Sequence, residues 1–209
     1  FDELQTIEII RGIENGVDVS VYCKEEFNAA QMKALRLGLE EKLDVSRFAD
    51  AQYDYMQMEE LKQAVRSGMN MDDICNPKFS HSVMREIRLA SELNYDLTRY
   101  AKLGYSGEVL RQIRLAKKED IDLTFFVEDN YDEYQLNEIR LGIHSCVDIT
   151  KYLLHEYNGK QMEQIRLGLE EGIDVTPYNM VGFSSGQMKQ IRLGLEEGID
   201  VSEYADPFI

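Results

Sequence analysis

The sequence lacks tryptophan and has only three prolines, three cysteines and three histidines among its 209 residues. Three cysteines, Cys23, Cys75 and Cys146, are too few and odd in number for a disulfide framework, which favours a reducing, cytoplasmic location. No apolar run approaches the roughly 20 residues that span a bilayer, and no signal-peptide pattern follows Phe1. Because the first residue is not methionine, a fragment or a processed product is one interpretation of the chain.

Basic residues are also scarce, since 23 lysines and arginines face 39 acidic residues and the formal net charge is −16. A chain this acidic repels phosphate backbones, so direct nucleic-acid binding is not expected and basic protein partners are favoured. The apolar fraction of 44% is enough to build a core, which excludes a disordered acidic tail.

No group of residues has the pattern of a catalytic or metal site. His81, His144 and His155 lack a second ligand at metal spacing, and the glycines form no phosphate-binding loop. We therefore predict a protein without enzymatic activity, cofactor or metal.

The sequence is organised by an internal repeat of 26 residues, and 209 is eight such periods plus one residue. An acidic or amide residue marks every copy, at Asp18, Asp44, Asn70, Asp96, Asp122, Asp148, Asp174 and Asp200. A period of this length is typical of solenoids, whose units stack on their neighbours. We predict one domain, 1–209, with the repeats 1–26, 27–52, 53–78, 79–104, 105–130, 131–156, 157–182 and 183–209.

Each copy carries the signals of a helix of about 13 residues followed by a short helical or 3-10 turn. In the seventh copy an aromatic, Tyr157, precedes the N-cap Asn158, and Gln161 completes a capping box. Gly172 falls where a left-handed residue ends the helix, and equivalent positions hold Lys42, Asn94, Asp120 and Cys146 in four other copies. A second N-cap is predicted at Thr176 and its equivalents.

These features predict an all-α fold, a right-handed α-solenoid. The unit Gln-Met-x-x-Ile-Arg-Leu-Gly-Leu-Glu-Glu-Gly-x-Asp-Val-Ser/Thr-x-Tyr resembles a tandem helical repeat of uncharacterised proteins of bacteria and their mobile elements. It is more loosely similar to leucine-rich-variant α-solenoids. The resemblance implies a repeat scaffold and brings no catalytic residues with it.

In the seventh copy Met162, Ile165 and Leu169 stand at i, i+3 and i+7, which predicts an inward stripe of the long helix that packs on the aromatic of the short helix. An arginine recurs at the edge of this stripe, with Lys62 in the third copy. One interpretation is a structural ladder in which each guanidinium pairs with the recurring aspartate, and the other is a groove for a polyanion or a small anionic ligand. Lys62 coincides with Asn70, which favours the ladder. The predicted ladder consists of Arg36, Arg88, Arg114, Arg140, Arg166 and Arg192 with Asp44, Asp96, Asp122, Asp148, Asp174 and Asp200.

A leucine column, which includes Leu89 and Leu115, points away from the inward stripe. It either packs between repeats, where small residues such as Gly142 and Gly168 let the next helix approach, or forms an exposed strip for a partner's amphipathic segment. Copies three to five diverge most at positions predicted to be exposed. Possible partner-binding residues are Gln63, Arg66, Ser91, Lys117, Lys118, Leu89 and Leu115.

The sequence thus predicts a protein-binding scaffold for a partner with a basic surface or an amphipathic segment. An alternative is an acidic inhibitor that mimics nucleic acid and occupies the basic cleft of a host enzyme, as a mobile element's product would. Salt separates such a mimic from a partner bound through the leucine strip: the mimic should lose affinity steeply between roughly 50 and 200 mM salt, whereas binding through the leucines should barely respond.

Overall fold

The structure is a computed structural model that describes residues 1–208, so Ile209, the last residue of the eighth predicted repeat, lies outside the described residues. Over residues 1–208 it contains ten α-helices, three 3-10 segments and no β-strand. The predicted all-α class is confirmed. Contacts divide the chain into two compact units, Phe1–Leu110 and Arg111–Ile209, and each is described by itself.

The first unit contains helices α1 to α5 and the start of α6, and the second contains the rest of α6 and helices α7 to α10. The helices are α1 (Glu3–Glu14), α2 (Ala29–Glu40), α3 (Tyr55–Arg66), α4 (His81–Ser91), α5 (Thr98–Lys102), α6 (Gly107–Lys118), α7 (Thr124–Glu128), α8 (Glu133–His144), α9 (Gly159–Glu170) and α10 (Ser185–Glu196). The 3-10 segments are Val19–Val21, Met71–Asp73 and Ile149–Lys151.

The long helices begin at the predicted caps. In α9 the side chain of Asn158 accepts the backbone N–H of Gln161 at 3.0 Å, and Gln161 Oε1 accepts the N–H of Asn158 at 2.9 Å. Ser80 and Ser106 cap α4 and α6 from their hydroxyl groups without a reciprocal bond, because valine follows three residues later. The N-cap predictions for the long helices are confirmed.

The long helices also end as predicted. The residue two or three positions after each long helix has a positive φ, between 54° and 72°, including the non-glycine residues Lys42, Asn94, Asp120 and Cys146. In α1 the N–H of Val17 donates to Gly12 O and that of Gly16 to Ile13 O, which is the Schellman pattern. A left-handed residue therefore turns the chain at the end of every long helix.

The short elements differ from the prediction in their cap. The Asp148 carboxylate accepts the N–H of Thr150, and Asp148 is the N-cap of the 3-10 segment that follows, Ile149–Lys151. The recurring aspartate, rather than the serine or threonine two residues later, therefore caps this turn. The physical reason is that a carboxylate reaches the exposed N–H two residues ahead and satisfies it from outside the turn.

The core of each copy lies between the long helix and the aromatic of the short element. Met162, Ile165 and Tyr178 are all fully buried, as are Met32, Leu35 and Phe48 in the second copy. This burial confirms Met162 and Ile165 of the predicted inward stripe, whereas its third residue, Leu169, is half-buried.

Within each unit, consecutive long helices contact one another and run parallel. Near the helix starts, Gln5 Nε2 donates to Phe27 O at 2.8 Å, and near the ends Asn15 Nδ2 donates to Glu40 Oε1 at 2.7 Å. In the second unit Gln161 Nε2 reaches Phe183 O, and Arg192 reaches Glu171. The amino ends of neighbouring long helices therefore lie side by side, and so do their carboxyl ends. As a result, the carboxyl ends of the long helices line one edge of each unit.

Candidate functional site

Four of the recurring arginines, Arg36, Arg140, Arg166 and Arg192, are buried, and Arg88 and Arg114 are half-buried. Arg166 Nε lies 2.8 Å from Glu138 Oε2, and its Nη1 lies 2.8 Å from Glu170 Oε1. In the first unit Arg36 makes the same pair of contacts, with Glu8 and Glu40. Each of these two arginines therefore reaches back 28 residues to the preceding long helix and forward four residues on its own helix.

The predicted Arg–Asp pairing is corrected by these contacts. Arg88 pairs with Glu60 and Glu92, Arg140 with Gln112 and Glu119, and Arg192 with Gln164, Glu171 and Glu196. Arg114 is half-buried on α6. Each aspartate named for the ladder instead accepts the backbone N–H of the residue two positions ahead. The aspartates that do so are Asp44, Asp96, Asp122, Asp148, Asp174 and Asp200. Their carboxylates are already engaged at the turn.

The third copy shows why lysine replaces arginine there. The position 28 residues before Lys62 holds Ala34, which offers no side-chain acceptor. Lys62 Nζ turns instead to Glu59 on its own helix, at 2.8 Å, and stays buried. The second copy has alanine at position 34 where other copies have an acceptor, and the third copy has lysine at position 62 where others have arginine. This paired change was the sequence signal that each arginine contacts the residue 28 positions before it.

Two further sets of recurring residues, the glutamines near the helix starts and the glycines within the helices, make contacts inside the fold. The Gln5, Gln31, Gln57, Gln135 and Gln161 side chains cap their own helix and also donate to a backbone carbonyl 22 residues later, near the start of the next long helix. The glycine column makes room for tyrosine: a Cβ on Gly168 would lie 1.9 Å from Tyr178 Oη. The prediction that this glycine admits the next helix is therefore wrong.

What remains exposed is a set of carboxylates at the carboxyl ends of the long helices, which we call the acidic edge of each unit. In the first unit it consists of Glu14, Asp18, Glu40, Glu41, Asp44, Glu92 and Asp96. In the second unit it consists of Asp148, Glu170, Glu171, Asp174, Glu196, Glu197 and Asp200. Lys42 and Arg66 interrupt the first edge, and Arg66 Nε pairs with Glu41 at 2.6 Å.

Most of these carboxylates are held in their charged form by local hydrogen bonds. In the turn that follows α9, the hydroxyl of Thr176 lies 2.6 Å from Asp174 Oδ1, and this hydrogen bond lowers the pKa of Asp174. Ser20 lowers the pKa of Asp18 in the same way, and a hydrogen bond from Asn15 lowers the pKa of Glu40. Conversely, a hydrogen bond shared with Glu171 raises the pKa of Glu196.

The possible partner-binding residues fall in both units. In the first, Arg66 is exposed at the end of α3, whereas Gln63, Leu89 and Ser91 are half-buried, and Ser91 Oγ donates to Arg88 O at 2.7 Å. In the second, Lys117 and Lys118 are exposed at the end of α6 and Leu115 is half-buried. The other leucines of the column are half-buried as well, namely Leu37, Leu141, Leu167 and Leu193.

Residues 1–208 show neither a metal-binding cluster nor a membrane-spanning helix. In this range no three His, Cys, Asp or Glu side chains are grouped so that they could hold a metal ion. In the same part of the chain no helix combines the length and apolar character that crossing a membrane requires. Cys23, Cys75 and Cys146 are free thiols.

Comparison with models of protein families, with curated proteins and with solved structures finds no match to this chain.

Proposed function

We propose that the protein is a non-enzymatic, cytoplasmic scaffold, a right-handed α-solenoid of eight 26-residue repeats, that binds a protein with a basic surface along its acidic edges. The observation that carries this proposal is the parallel order of the long helices within each unit, which gathers exposed carboxylates on one side. A surface of one charge sign attracts and orients a partner of the opposite sign.

The recurring residues fall into two groups, those that make contacts inside the fold and those that are exposed, and this supports the same proposal. Arginines, glutamines and the tyrosine-glycine pairs are used in contacts inside the fold, as with Arg36, Gln31 and Gly142. These contacts hold neighbouring copies together and occupy the polar groups of these side chains, so the side chains are not available to a ligand. The carboxylates of the acidic edge are exposed at least in part, so they are the recurring groups that a partner can reach.

Charge density makes a protein partner a better fit than mimicry of duplex DNA. Adjacent helices pack about 8–10 Å apart, and the first two copies contribute about two net charges each to the edge, or roughly one charge per 4–5 Å. Duplex DNA carries one charge per about 1.7 Å of its axis. The first acidic edge is thus less than half as dense in charge as duplex DNA, and the last two copies, with three carboxylates each, reach roughly one charge per 3 Å, just over half the density of the molecule they would imitate.

An anionic small ligand on the arginine column is disfavoured by burial and pairing. Arg36, Arg166 and Arg192 are 6–8% exposed, and each already holds at least one carboxylate. A ligand would have to displace a buried ion pair, which costs several kcal/mol, on the order of 3–5.

The proposal is tested by capturing the partner from cells and measuring its affinity at about 50 and 200 mM salt, a range in which screening of exposed charges strengthens. The variant Glu14→Gln/Asp18→Asn/Asp44→Asn removes three charges from the first acidic edge. Asparagine at these turns keeps the cap, as Asn70 does by accepting the N–H of Asp72. The matched control, Glu3→Gln/Glu25→Gln/Glu26→Gln, removes three charges at the opposite helix ends.

We expect the edge variant to bind at least about tenfold more weakly than the control variant, because three attractive contacts are lost. Equal affinities for the two variants would show that the acidic edge is not the binding surface. A captured nucleic-acid-binding enzyme whose affinity falls by orders of magnitude across the salt range would favour the inhibitor alternative.

A further inference from the structure

The first long helix, α1, differs from the other long helices at two positions on its outer face. Ile7 stands where the other seven copies have only charged or amide side chains, and Ile10 stands where they have only arginine or lysine. The residues that correspond to Ile7 are Lys33, Glu59, Arg85, Arg111, Asn137, Glu163 and Lys189. Both replacements put an apolar side chain where the repeat otherwise has a polar one.

Four apolar side chains form a continuous row on α1, which we call the α1 ridge. Leu4, Ile7, Ile10 and Ile13 follow one another at intervals of three residues, and such rows are the ridges by which helices pack on each other. Leu4 is 64%, Ile10 49% and Ile13 62% exposed, and Ile7 is half-buried. A contiguous apolar surface of this kind marks an interaction site, whereas single exposed apolar residues do not.

An ordinary repeat of this chain does not match the α1 ridge. In the second copy Arg36, the equivalent of Ile10, is buried against the preceding helix and binds Glu8 there. Ile10 has no donor for such an acceptor. In the eighth copy the equivalent of Glu8 is the exposed Gln190, whose carboxamide would be left without a partner against Ile10. Stacking of α1 on the last repeat of another copy is therefore disfavoured.

The ridge and its flanking charges are instead complementary to themselves. Leu4 lies three residues before Ile7 and Ile10 three residues after it, while Glu3 lies four before and Arg11 four after. Two α1 helices that pack antiparallel about a two-fold axis at Ile7 therefore bring Leu4 of each copy against Ile10 of the other. The same arrangement brings each Glu3 beside Arg11 of the other copy, where the opposite charges attract.

Arg11 is itself specific to the first copy. The equivalent position holds leucine in six copies and Gln63 in the third. The Arg11 side chain is 55% exposed and pairs with Glu8 on its own helix at 3.0 Å, through Nη1. A guanidinium has five N–H donors, so Arg11 can bind a second carboxylate while it keeps Glu8.

Antiparallel order also keeps the acidic edges of two copies apart. Each chain has a net charge of −16, so two copies repel wherever their acidic surfaces meet. In an antiparallel pair the carboxyl end of one α1 lies beside the amino end of the other, and the first acidic edges fall on opposite sides. A parallel pair would instead place the two Glu14 carboxylates side by side.

We propose that the α1 ridge is the interface of a symmetric homodimer, in which it packs antiparallel on the α1 ridge of a second copy. The inference goes beyond the proposed function, because the acidic edges take no part in the contact and stay free for a basic partner. One short ridge buries less than the roughly 800 Å² per partner of a standard interface, so we expect a dissociation constant on the order of 10–100 µM.

The test is sedimentation velocity of the full chain, from about 5 µM to about 1 mM, a range that brackets the expected dissociation constant. Salt at about 200 mM screens the repulsion between two acidic chains. We expect the mass to rise from the monomer value of 24.2 kDa and to level off at twice that value, because a two-fold contact closes on itself.

The variant Ile7→Lys/Ile10→Arg gives α1 the residues that α2 has at Lys33 and Arg36. Arginine at position 10 can pair with Glu14, as Arg36 pairs with Glu40 four residues on, so the fold is kept. We expect dimerisation to weaken at least about tenfold, because charges enter the centre of the contact. The matched control, Met56→Lys/Leu103→Lys, adds the same charge at two exposed apolar residues away from α1, and should dimerise like the unmodified protein.

A charge exchange tests the two-fold register without touching the ridge. Glu3→Lys places a cation beside Arg11 of the second copy and should weaken dimerisation about threefold or more, whereas Glu3→Lys/Arg11→Glu restores the attraction and should recover most of it. A mass that stays at that of the monomer up to about 1 mM, or growth beyond a dimer, would overturn the proposal. So would equal dimerisation of the Ile7→Lys/Ile10→Arg variant and its control, and none of these results bears on partner binding at the acidic edges.

Discussion

The phenolic oxygen of Tyr152 occupies the space in which a side chain on Gly142 would begin. A Cβ atom added to Gly142 would lie 1.8 Å from Tyr152 Oη, and that hydroxyl donates to Glu138 O at 3.2 Å. Gly12 and Tyr22 stand in the same relationship in the first unit, again at 1.8 Å. The tyrosine thus reaches across its own long helix, and only glycine permits this.

Gly142→Ala is expected to destabilise the protein by about 1–3 kcal/mol, because the new methyl group forces the tyrosine out of a filled core. In an open helix the same change would stabilise by up to about 1 kcal/mol. Denaturant melts followed by circular dichroism measure the difference.

The control is the double variant Gly142→Ala/Tyr152→Phe, which reproduces the natural pair Ala116 and Phe126 of the fifth copy. It should recover most of the loss, since the hydroxyl is the group that clashes. If the double variant is as unstable as Gly142→Ala alone, the clash is not with the tyrosine.

Arg166→Ala is expected to cost about 3–5 kcal/mol, because it leaves the buried Glu138 carboxylate without its cation. Glu138 and Arg166 are each 8% exposed, and the second partner, Glu170, is exposed. Glu170→Ala should therefore cost only about 0–1 kcal/mol. Chemical denaturation of the two variants gives the comparison.

The third copy supplies a rescue for this pair. Arg166→Lys/Glu138→Ala reproduces the natural combination of Lys62 with Ala34, and Glu163 stands where Glu59 binds Lys62. The double variant should be more stable than Arg166→Ala. The opposite order would contradict the pairing across 28 residues.

Local structure in this chain could be predicted because its determinants lie within a few residues of one another. The N-caps, the capping boxes and the left-handed residues at Lys42 and Cys146 each depend on one turn of chain. The inward stripe followed from helical spacing in the same way.

The partner of each arginine could not be predicted from the period alone, because a contact between copies depends on how neighbouring helices are offset. The residue that an arginine reaches on the preceding long helix lies 28 positions earlier, which is one period plus two residues. Ala34, Gln112 and Gln164 interrupt the glutamates at these positions, so in the sequence they look like variable surface positions. The aspartates, which recur in nearly every copy, were the more visible candidates.

Acid is expected to destabilise the fold as the pH falls below about 4. Asp18, Asp148 and Asp174 have a pKa below the ordinary value of 3.8, mainly because the hydroxyl two residues ahead donates to the carboxylate. A lowered pKa in the folded state means that the carboxylate stabilises the fold above the unfolded pKa, and that this contribution is lost as pH falls through the folded pKa. Thermal melts between pH 5 and 2 should show the decline.

The matched variant for the acid transition is Asp148→Asn/Asp174→Asn, which keeps acceptor oxygens at both turns but cannot be protonated. Its melting temperature should fall less between pH 5 and pH 2 than that of the unmodified protein. Identical pH profiles would mean that these turns do not contribute to acid sensitivity.

Lys42→Gly is expected to stabilise the protein by about 1 kcal/mol, because Lys42 has a φ of 60° and a left-handed conformation costs a residue with a side chain about 1–2 kcal/mol. Part of that gain is offset by the greater freedom of glycine in the unfolded chain. The reverse change, Gly172→Ala at a φ of 72°, should destabilise by a similar amount, although an added Cβ would meet no atom within 4 Å. Because the space at Gly172 is empty, a loss of stability there isolates the backbone effect, and a neutral result for both variants would show that these turns relax without cost.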